Sequence, residues 1–141
     1  WMLPQVKKLH IGYNGDPVNL QHVAGQCAVM ARCRNLESLT VRDTTIPELN
    51  HQDVYERAIS TYFRAMTHIE QTLQTASFEV RSYPDQALIE LGAKDFPQLR
   101  TLDIDSSRQS RDPNVTNPFL RMNPALITML RKALPRVAIT I

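Results

Sequence analysis

Two aspartates, Asp103 and Asp105, are the residues of this chain whose type and spacing come closest to catalytic chemistry. Residues two positions apart on a strand lie on the same face, because side chains alternate between the faces of a sheet. A carboxylate pair of this kind can serve as general acid and general base. The sequence places no nucleophile or histidine that must lie beside them, so we expect no catalytic residues in this chain.

The residue types that bind metals are too scattered to predict a metal site. The four histidines and two cysteines lack the short paired spacings of zinc ligands. We therefore expect no metal or cofactor. Two thiols on apolar stretches favour a reducing compartment, so we expect a cytoplasmic or nuclear protein. The histidines are His10, His22, His51 and His68, and the cysteines are Cys27 and Cys33.

Gly12 and Gly15 follow a predicted strand and precede a predicted helix. A phosphate-binding loop occupies this place in a doubly wound α/β fold. The fuller glycine fingerprint is absent, and a tight turn explains both glycines. We favour the turn and keep a small doubly wound α/β enzyme or nucleotide-binding domain as the alternative.

Charge and hydropathy narrow the classes of partner. The chain has 141 residues and a formal net charge of +2, with sixteen basic residues spread along it. No basic stripe with interleaved aromatic residues is present, so we do not expect nucleic-acid binding. No apolar run reaches membrane-spanning length, so we expect no membrane partner. The expected partner is a protein, or further repeats or domains of the same parent chain.

A short phrase recurs along the chain and predicts the elements that position these residues. Its clearest copies are 3–11, 33–41 and 96–104, and weaker copies begin at Leu73 and Val137. In each copy, apolar residues three apart precede a stretch in which apolar and polar residues alternate. Copies are about 26 to 38 residues apart, a spacing typical of stacked repeats. Each unit therefore comprises one strand and one helix, as parallel strands require.

The strand phase follows from the alternation within each copy. We predict strands at 7–12, 38–42, 76–81 and 100–105, and a final strand that includes Val137, Ile139 and Ile141. On each of the first four strands, two inward residues are separated by one outward residue. These pairs are Leu9 with Ile11, Leu39 with Val41, Phe78 with Val80, and Leu102 with Ile104.

Helical periodicity fills the segments between the strands. We predict a helix with Asp16 as N-cap and Pro17 in its first position, and a long one that Asn50 caps and that runs to about Thr72. We also predict a short helix from Pro84 to Gly92 and a last one that Asn123-Pro124 caps. The first helix carries a predicted apolar stripe of Leu20, Val23, Ala24, Cys27, Met30 and Ala31. The second carries Tyr55, Ile59, Tyr62, Met66, Ile69 and Leu73, widened by Val54, Ala58 and Phe63. The last carries Leu126, Ile127, Leu130 and Leu134.

The phrases resemble the L-x-x-L-x-L strand signature of leucine-rich repeats, and the helical return segments resemble the ribonuclease-inhibitor-like class. The sequence of 96–102, Phe-Pro-Gln-Leu-Arg-Thr-Leu, is similar to repeats of F-box substrate receptors. The resemblance covers the whole chain and implies an α/β solenoid of about five short parallel strands in sequential order, with helices on the convex side. It also implies the substrate-recognition part of a ubiquitin-ligase receptor. We expect 1–141 to be one such domain, and a fragment of a longer protein.

The outward strand residues form the candidate binding surface. They include Ser38, Ser77 and Thr101, and together they make a mixed polar face, basic at one end and acidic near Asp103 and Asp105. Solvation of an exposed sheet and contact with a partner protein are both open interpretations of such a face. The functional hypothesis is a non-catalytic protein–protein interaction module that binds through Lys8, His10, Thr40, Arg42, Glu79, Arg81, Asp103 and Asp105.

Overall fold

The computed structural model describes residues 3–13, 20–43, 52–79, 85–105 and 124–141. Within these ranges five strands alternate with four helices, and a 3₁₀ turn (Thr67–Ile69) follows the second helix. The strands are β1 (Lys8–Tyr13), β2 (Ser38–Asp43), β3 (Thr75–Glu79), β4 (Thr101–Asp105) and β5 (Ala138–Thr140). The helices are α1 (Leu20–Arg32), α2 (Gln52–Met66), α3 (Asp85–Gly92) and α4 (Pro124–Ala133).

All five described strands are parallel and form one sheet in the order β1-β2-β3-β4-β5. The α/β class, the number of strands and their sequential order are thus confirmed. A doubly wound sheet reverses its strand order at a switch point. The order of the described strands contains no such reversal, which contradicts the doubly wound alternative.

The helices form a layer on one face of the sheet. Connections between parallel strands are almost always right-handed, so a chain that adds each strand on the same side returns through the same face. Accordingly, α1 packs against α2, α2 against α3, and α3 against α4. The opposite face of the sheet carries the exposed and half-buried strand residues. We call it the outer face.

The core lies between the sheet and the helices. The inward rows of the strands are buried, as the alternation predicts, except that Leu9 on the edge strand β1 is only partly buried. From the helix side, Phe63 of α2 stacks on Phe78 of β3 with ring centroids 4.1 Å apart. The buried strand residues are Ile11, Leu39, Val41, Ala76, Phe78, Leu102, Ile104 and Ile139.

The recurring phrase forms a hydrogen-bonded turn before each strand. In four copies the amide of the second apolar residue donates to the carbonyl of the first, three residues earlier. The donor and acceptor pairs are Val6 and Leu3 (3.3 Å), Leu36 and Cys33 (3.0 Å), Leu99 and Phe96 (3.3 Å), and Val137 and Leu134 (3.1 Å). In the remaining copy the amides of Thr72 and Leu73 both donate to the Ile69 carbonyl.

A ladder of backbone hydrogen bonds, which we call the carbonyl ladder, joins these turns across the sheet. The Lys7 carbonyl accepts from the amides of Glu37 (2.8 Å) and Ser38 (3.0 Å). The Glu37 carbonyl accepts from Gln74 and Thr75, and the Gln74 carbonyl from Arg100 and Thr101. The Arg100 carbonyl then accepts from Ala138 (2.8 Å). Equivalent residues therefore occupy equivalent positions, although the segments between them differ in length.

Side chains add to the same connection between neighbouring turns. Asn35 Nδ2 donates to the Pro4 carbonyl at 3.1 Å. The Thr72 hydroxyl donates to the Leu36 carbonyl at 2.8 Å and lies 3.3 Å from the Arg34 carbonyl. Each bond satisfies a backbone acceptor of the preceding unit. Neither residue is singled out by the sequence pattern, because both stand among polar turn residues.

Several element boundaries differ from the sequence prediction. The third strand is Thr75–Glu79 rather than 76–81, and α2 ends at Met66, where the 3₁₀ turn begins. The predicted stripe of α1 is too wide, since Ala24 and Ala31 are exposed. Its packing surface is narrow because α1 is the first described helix and has a helix neighbour on one side only. Ile127 of α4 is half-buried.

Some predicted features fall outside the described residues. They are the first helix start at Asp16 and Pro17, the helix caps at Asn50, Pro84 and Asn123, and the side chains of Leu20, Val54, Tyr55 and Val80.

Candidate functional site: the outer face of the sheet

Strand register arranges the outer face into rows that run across the strands. Each row takes one residue from each strand, because paired residues of parallel strands lie side by side. The first row is Lys8, Ser38, Thr75, Thr101 and Ala138. The second row is His10, Thr40, Ser77, Asp103 and Thr140. The third row contains Gly12 beside Arg42, and Glu79 beside Asp105.

The centre of the outer face consists of short hydroxyl side chains. Ser38, Thr40, Thr75, Ser77 and Thr101 occupy the first two rows on β2, β3 and β4. Thr75 Oγ1 donates to Ser38 Oγ across the strand boundary at 3.0 Å. Short side chains on a parallel sheet leave a shallow surface. We call these five residues the hydroxyl track.

Opposite charges flank the hydroxyl track. Lys8 and His10 are exposed on β1, while Asp103 is half-buried on β4. Within the described part of the chain none of these three side chains forms an ion pair. The charges of Lys8 and Asp103 are therefore available to a partner. This split agrees with the basic and acidic ends that the sequence predicts.

The third row is different because it contains an ion pair of its own. Arg42 Nε lies 3.9 Å from Glu79 Oε1, with 64% of the arginine side chain and 20% of the glutamate side chain exposed. The long distance and the exposed guanidinium make this a weak pair. Arg42 can thus still reach a partner at the rim of the outer face.

Seven of the eight predicted site residues share the outer face. They are Lys8, His10, Thr40, Arg42, Glu79, Asp103 and Asp105. The eighth, Arg81, lies outside the described residues. The predicted set omits the other members of the hydroxyl track and Thr140. A signal for most of them was present, since alternation along the strands sends Ser38, Ser77 and Thr101 outward, whereas Thr75 precedes the predicted start of the third strand at residue 76.

Asp103 and Asp105, the candidate carboxylate pair, lie on the outer face among polar neighbours. Asp103 and Asp105 share one face, as predicted, but Asp103 lies between Ser77 and Thr140, and Asp105 beside Glu79. Among the described residues, no group of three histidine, cysteine or acidic side chains is placed to hold a metal ion. Gly12 lies within β1, while Gly15 is outside the described residues. No phosphate-binding loop can therefore be placed.

The shifted pKa values belong to the helical layer instead. Burial raises the pKa of the Cys27 thiol on α1 to about 11 and also raises the pKa of Cys33. On α3, a hydrogen bond from Arg64 lowers the pKa of Glu90, and the two groups are 2.8 Å apart. These groups lie apart from the outer face. They link helices or fill the core.

A polar depression lies beside the outer face, at the end where the strands begin. It has a volume of about 250 Å³, and the Lys7–Glu37 ion pair (3.8 Å) forms part of its wall. Its lining contains amides and charged groups without an apolar floor, which a small-molecule site usually has. The residues that line it are Lys7, Asn35, Glu37, Gln71, Thr72, Gln74 and Gln98.

Comparison with known proteins identifies no relative of this chain. No protein-family model, curated protein or solved structure matches the chain. None of the described helices has the length and apolar character needed to span a membrane. The geometry of the outer face is therefore the basis for a functional proposal.

Proposed function

We propose that this chain is a non-catalytic module that binds a protein partner on the outer face of its sheet. The observation that carries the proposal is the contrast between the two faces. The inner face is buried under four helices, whereas no described element covers the hydroxyl track and its flanking charges. A broad polar surface with separated charges gives specificity and steering in protein recognition.

We also propose that the units form a leucine-rich-repeat-like solenoid with the helices on the convex side. The repeated turn and the carbonyl ladder support it. A physical constraint supports it too: packed helices need about 8–10 Å between axes, whereas paired strands are about 4.8 Å apart. Joining wide helices to narrow strands in the same order favours bending toward the sheet. The outer face is then the concave one.

The resemblance to F-box substrate receptors adds a more specific proposal, in which the partner is a substrate marked with ubiquitin. Its support is the sequence phrase alone. This role predicts that the partner carries less ubiquitin in cells whose protein has a blocked outer face. Unchanged ubiquitin on a partner that binds the outer face would leave the binding role and remove the ligase role.

A display selection tests the binding function. A library of displayed protein fragments is selected on the chain, and each binder is measured again on two variants. Thr40→Arg places a long side chain at the centre of the hydroxyl track. Ile89→Asp is the matched control, because Ile89 is 44% exposed on α3, on the helical side.

We expect Thr40→Arg to weaken most binders at least tenfold and Ile89→Asp to leave them unchanged. Circular dichroism confirms that both variants are folded. The reverse pattern, with binders lost on Ile89→Asp and kept on Thr40→Arg, would place the interface on the helices and refute the proposal.

A further inference from the structure

The charges of the outer face are ordered along its second row. His10 on β1 and Asp103 on β4 are members of this row, and Thr40 and Ser77 lie between them. Lys8 reinforces the basic end one row away. The third row is already partly neutralised by Arg42 and Glu79. The row thus offers a partner a basic end, a short neutral centre and an acidic end.

The distance between the two ends sets the spacing of the partner's charges. Three strand intervals separate β1 from β4, which is about 14 Å at the usual spacing of about 4.8 Å. An extended peptide rises about 3.3–3.4 Å per residue, so residues four apart are about 13–14 Å apart. Their side chains also point the same way, because alternation has a period of two. An extended segment therefore matches both the distance and the direction.

We infer that the outer face binds an extended peptide segment that crosses the strands and carries an acidic and a basic residue four positions apart. The acidic residue forms an ion pair with Lys8 and accepts a hydrogen bond from His10, and the basic residue forms an ion pair with Asp103. A small residue midway between them lies over Thr40 and Ser77. This inference rests on the proposed binding function and specifies its partner.

Other occupants fit the same face less well. A helix rises about 1.5 Å per residue and returns to one face at about 10.5 or 16.5 Å, on either side of the required distance. A nucleic acid or an anionic membrane would meet Asp103 and Asp105 as well as the basic end, and like charges repel. A second copy of the chain can match the opposite ends in a face-to-face pair. Self-association is therefore an outcome that the experiment must detect.

Nuclear magnetic resonance titration tests the inference, since it detects weak binding and locates it. The ¹⁵N-labelled chain is titrated with four synthetic nonapeptides that share serine-rich flanks. The matched peptide has glutamate third, serine fifth and arginine seventh. One control moves arginine to the sixth position, where it points to the opposite side. Two others carry glutamate at both charged positions or arginine at both.

We expect the matched peptide to shift amides of β1–β4 and to bind about three- to tenfold more tightly than each control, the range that two exposed ion pairs give. Asp103→Lys should reverse the preference, so that the peptide with two glutamates binds best. Asp103→Asn should remove the preference over the double-glutamate peptide and over the peptide with the moved arginine, while Lys8 keeps the double-arginine peptide the weakest binder. Dispersed amide spectra show that both variants are folded.

Three results would overturn the inference. Equal binding of all four peptides would show that the charges are not read, and best binding of the double-arginine peptide would show that only the acidic end acts. Amide shifts of the outer face that grow with protein concentration alone would identify a second copy as the occupant. If displayed partners are blocked by Thr40→Arg while the peptides show no preference, the binding function stands and only this partner chemistry fails.

Discussion

Thr72 shows how a single side chain connects two neighbouring strand–helix units. Its hydroxyl donates to the Leu36 carbonyl at 2.8 Å, in a partly buried turn. Asn35 makes the corresponding bond to Pro4 one unit earlier. Both groups satisfy carbonyls that are not bonded within a strand pair. Such bonds matter because a buried acceptor that loses its donor retains the cost of its lost hydration.

Thr72→Val removes this hydroxyl and keeps the branched shape of the side chain. We expect the free energy of unfolding to fall by about 1 kcal/mol, the typical value for one hydrogen bond. Urea unfolding followed by circular dichroism measures the change. Thr128→Val is the control, because the Thr128 hydroxyl bonds only a carbonyl of its own exposed helix turn. Equal losses in both variants would show that Thr72 does not connect the units.

Cys27 gives a second test, based on pH. Burial raises its pKa in the folded chain to about 11, above the ordinary value of 9.0. Between these values the unfolded chain loses the thiol proton and the folded chain keeps it, so the free energy of unfolding falls as pH rises from 9 to 11. Cys27→Ala should lessen this decline, as measured by urea midpoints across the range. An identical decline in both proteins would mean that Cys27 is not shielded.

The strands provide the test of the inward phase. Leu39 of β2 is 1% exposed and Leu102 of β4 is 0% exposed. We expect Leu39→Ala and Leu102→Ala each to lower the free energy of unfolding by about 2–5 kcal/mol, because each leaves a cavity between sheet and helices. Thr101→Ala on the outer face should change it by less than about 0.5 kcal/mol. Calorimetric or urea unfolding would contradict the phase if Leu102→Ala matched Thr101→Ala.

The strand phase was predictable from sequence because it depends on a local alternation. Leu39, Val41, Leu102 and Ile104 are buried as that alternation requires. The ends of the elements were less predictable. Leu73 lies in a turn in which its amide donates to the Ile69 carbonyl, so the long helix ends earlier than its apolar spacing suggests. A turn is selected by bonds to neighbouring units, which a single segment does not encode.

The pairing of residues into rows on the outer face could not be predicted from the sequence either. Alternation identifies the outward residues of one strand but not which residue lies beside which. That register depends on the carbonyl ladder, which spans segments of unequal length. Thus the basic and acidic ends were predictable, and so were Ser38, Thr40, Ser77 and Thr101 as outward residues of their strands. Thr75 and the pairing of the hydroxyl track across the strands were not. Ser38 beside Thr75, and Thr75 beside Thr101, required the paired strands.

Charge acts at the scale of the whole molecule through the approach of a partner. Arg42→Glu replaces a largely exposed cation at the rim of the outer face. We expect the association rate of a displayed binder to fall, and to fall more at low salt than at high salt, because ions screen exposed charges. Surface plasmon resonance at about 10 mM and 1 M salt measures this, since the Debye length falls from about 30 to about 3 Å. Ile89→Asp should show no such salt dependence.

The carbonyl ladder has a mechanical consequence. Each strand bonds only to its neighbours in sequence, so β1 and β5 are the two outer strands of the sheet. Force that draws these strands apart, at right angles to their direction, loads one pair of strands at a time. Such a sheet yields by unzipping, at lower force than a sheet sheared along its strands. In optical tweezers with handles at Lys8→Cys and Ala138→Cys, in a background without the native thiols, we expect several small extensions rather than one abrupt rupture.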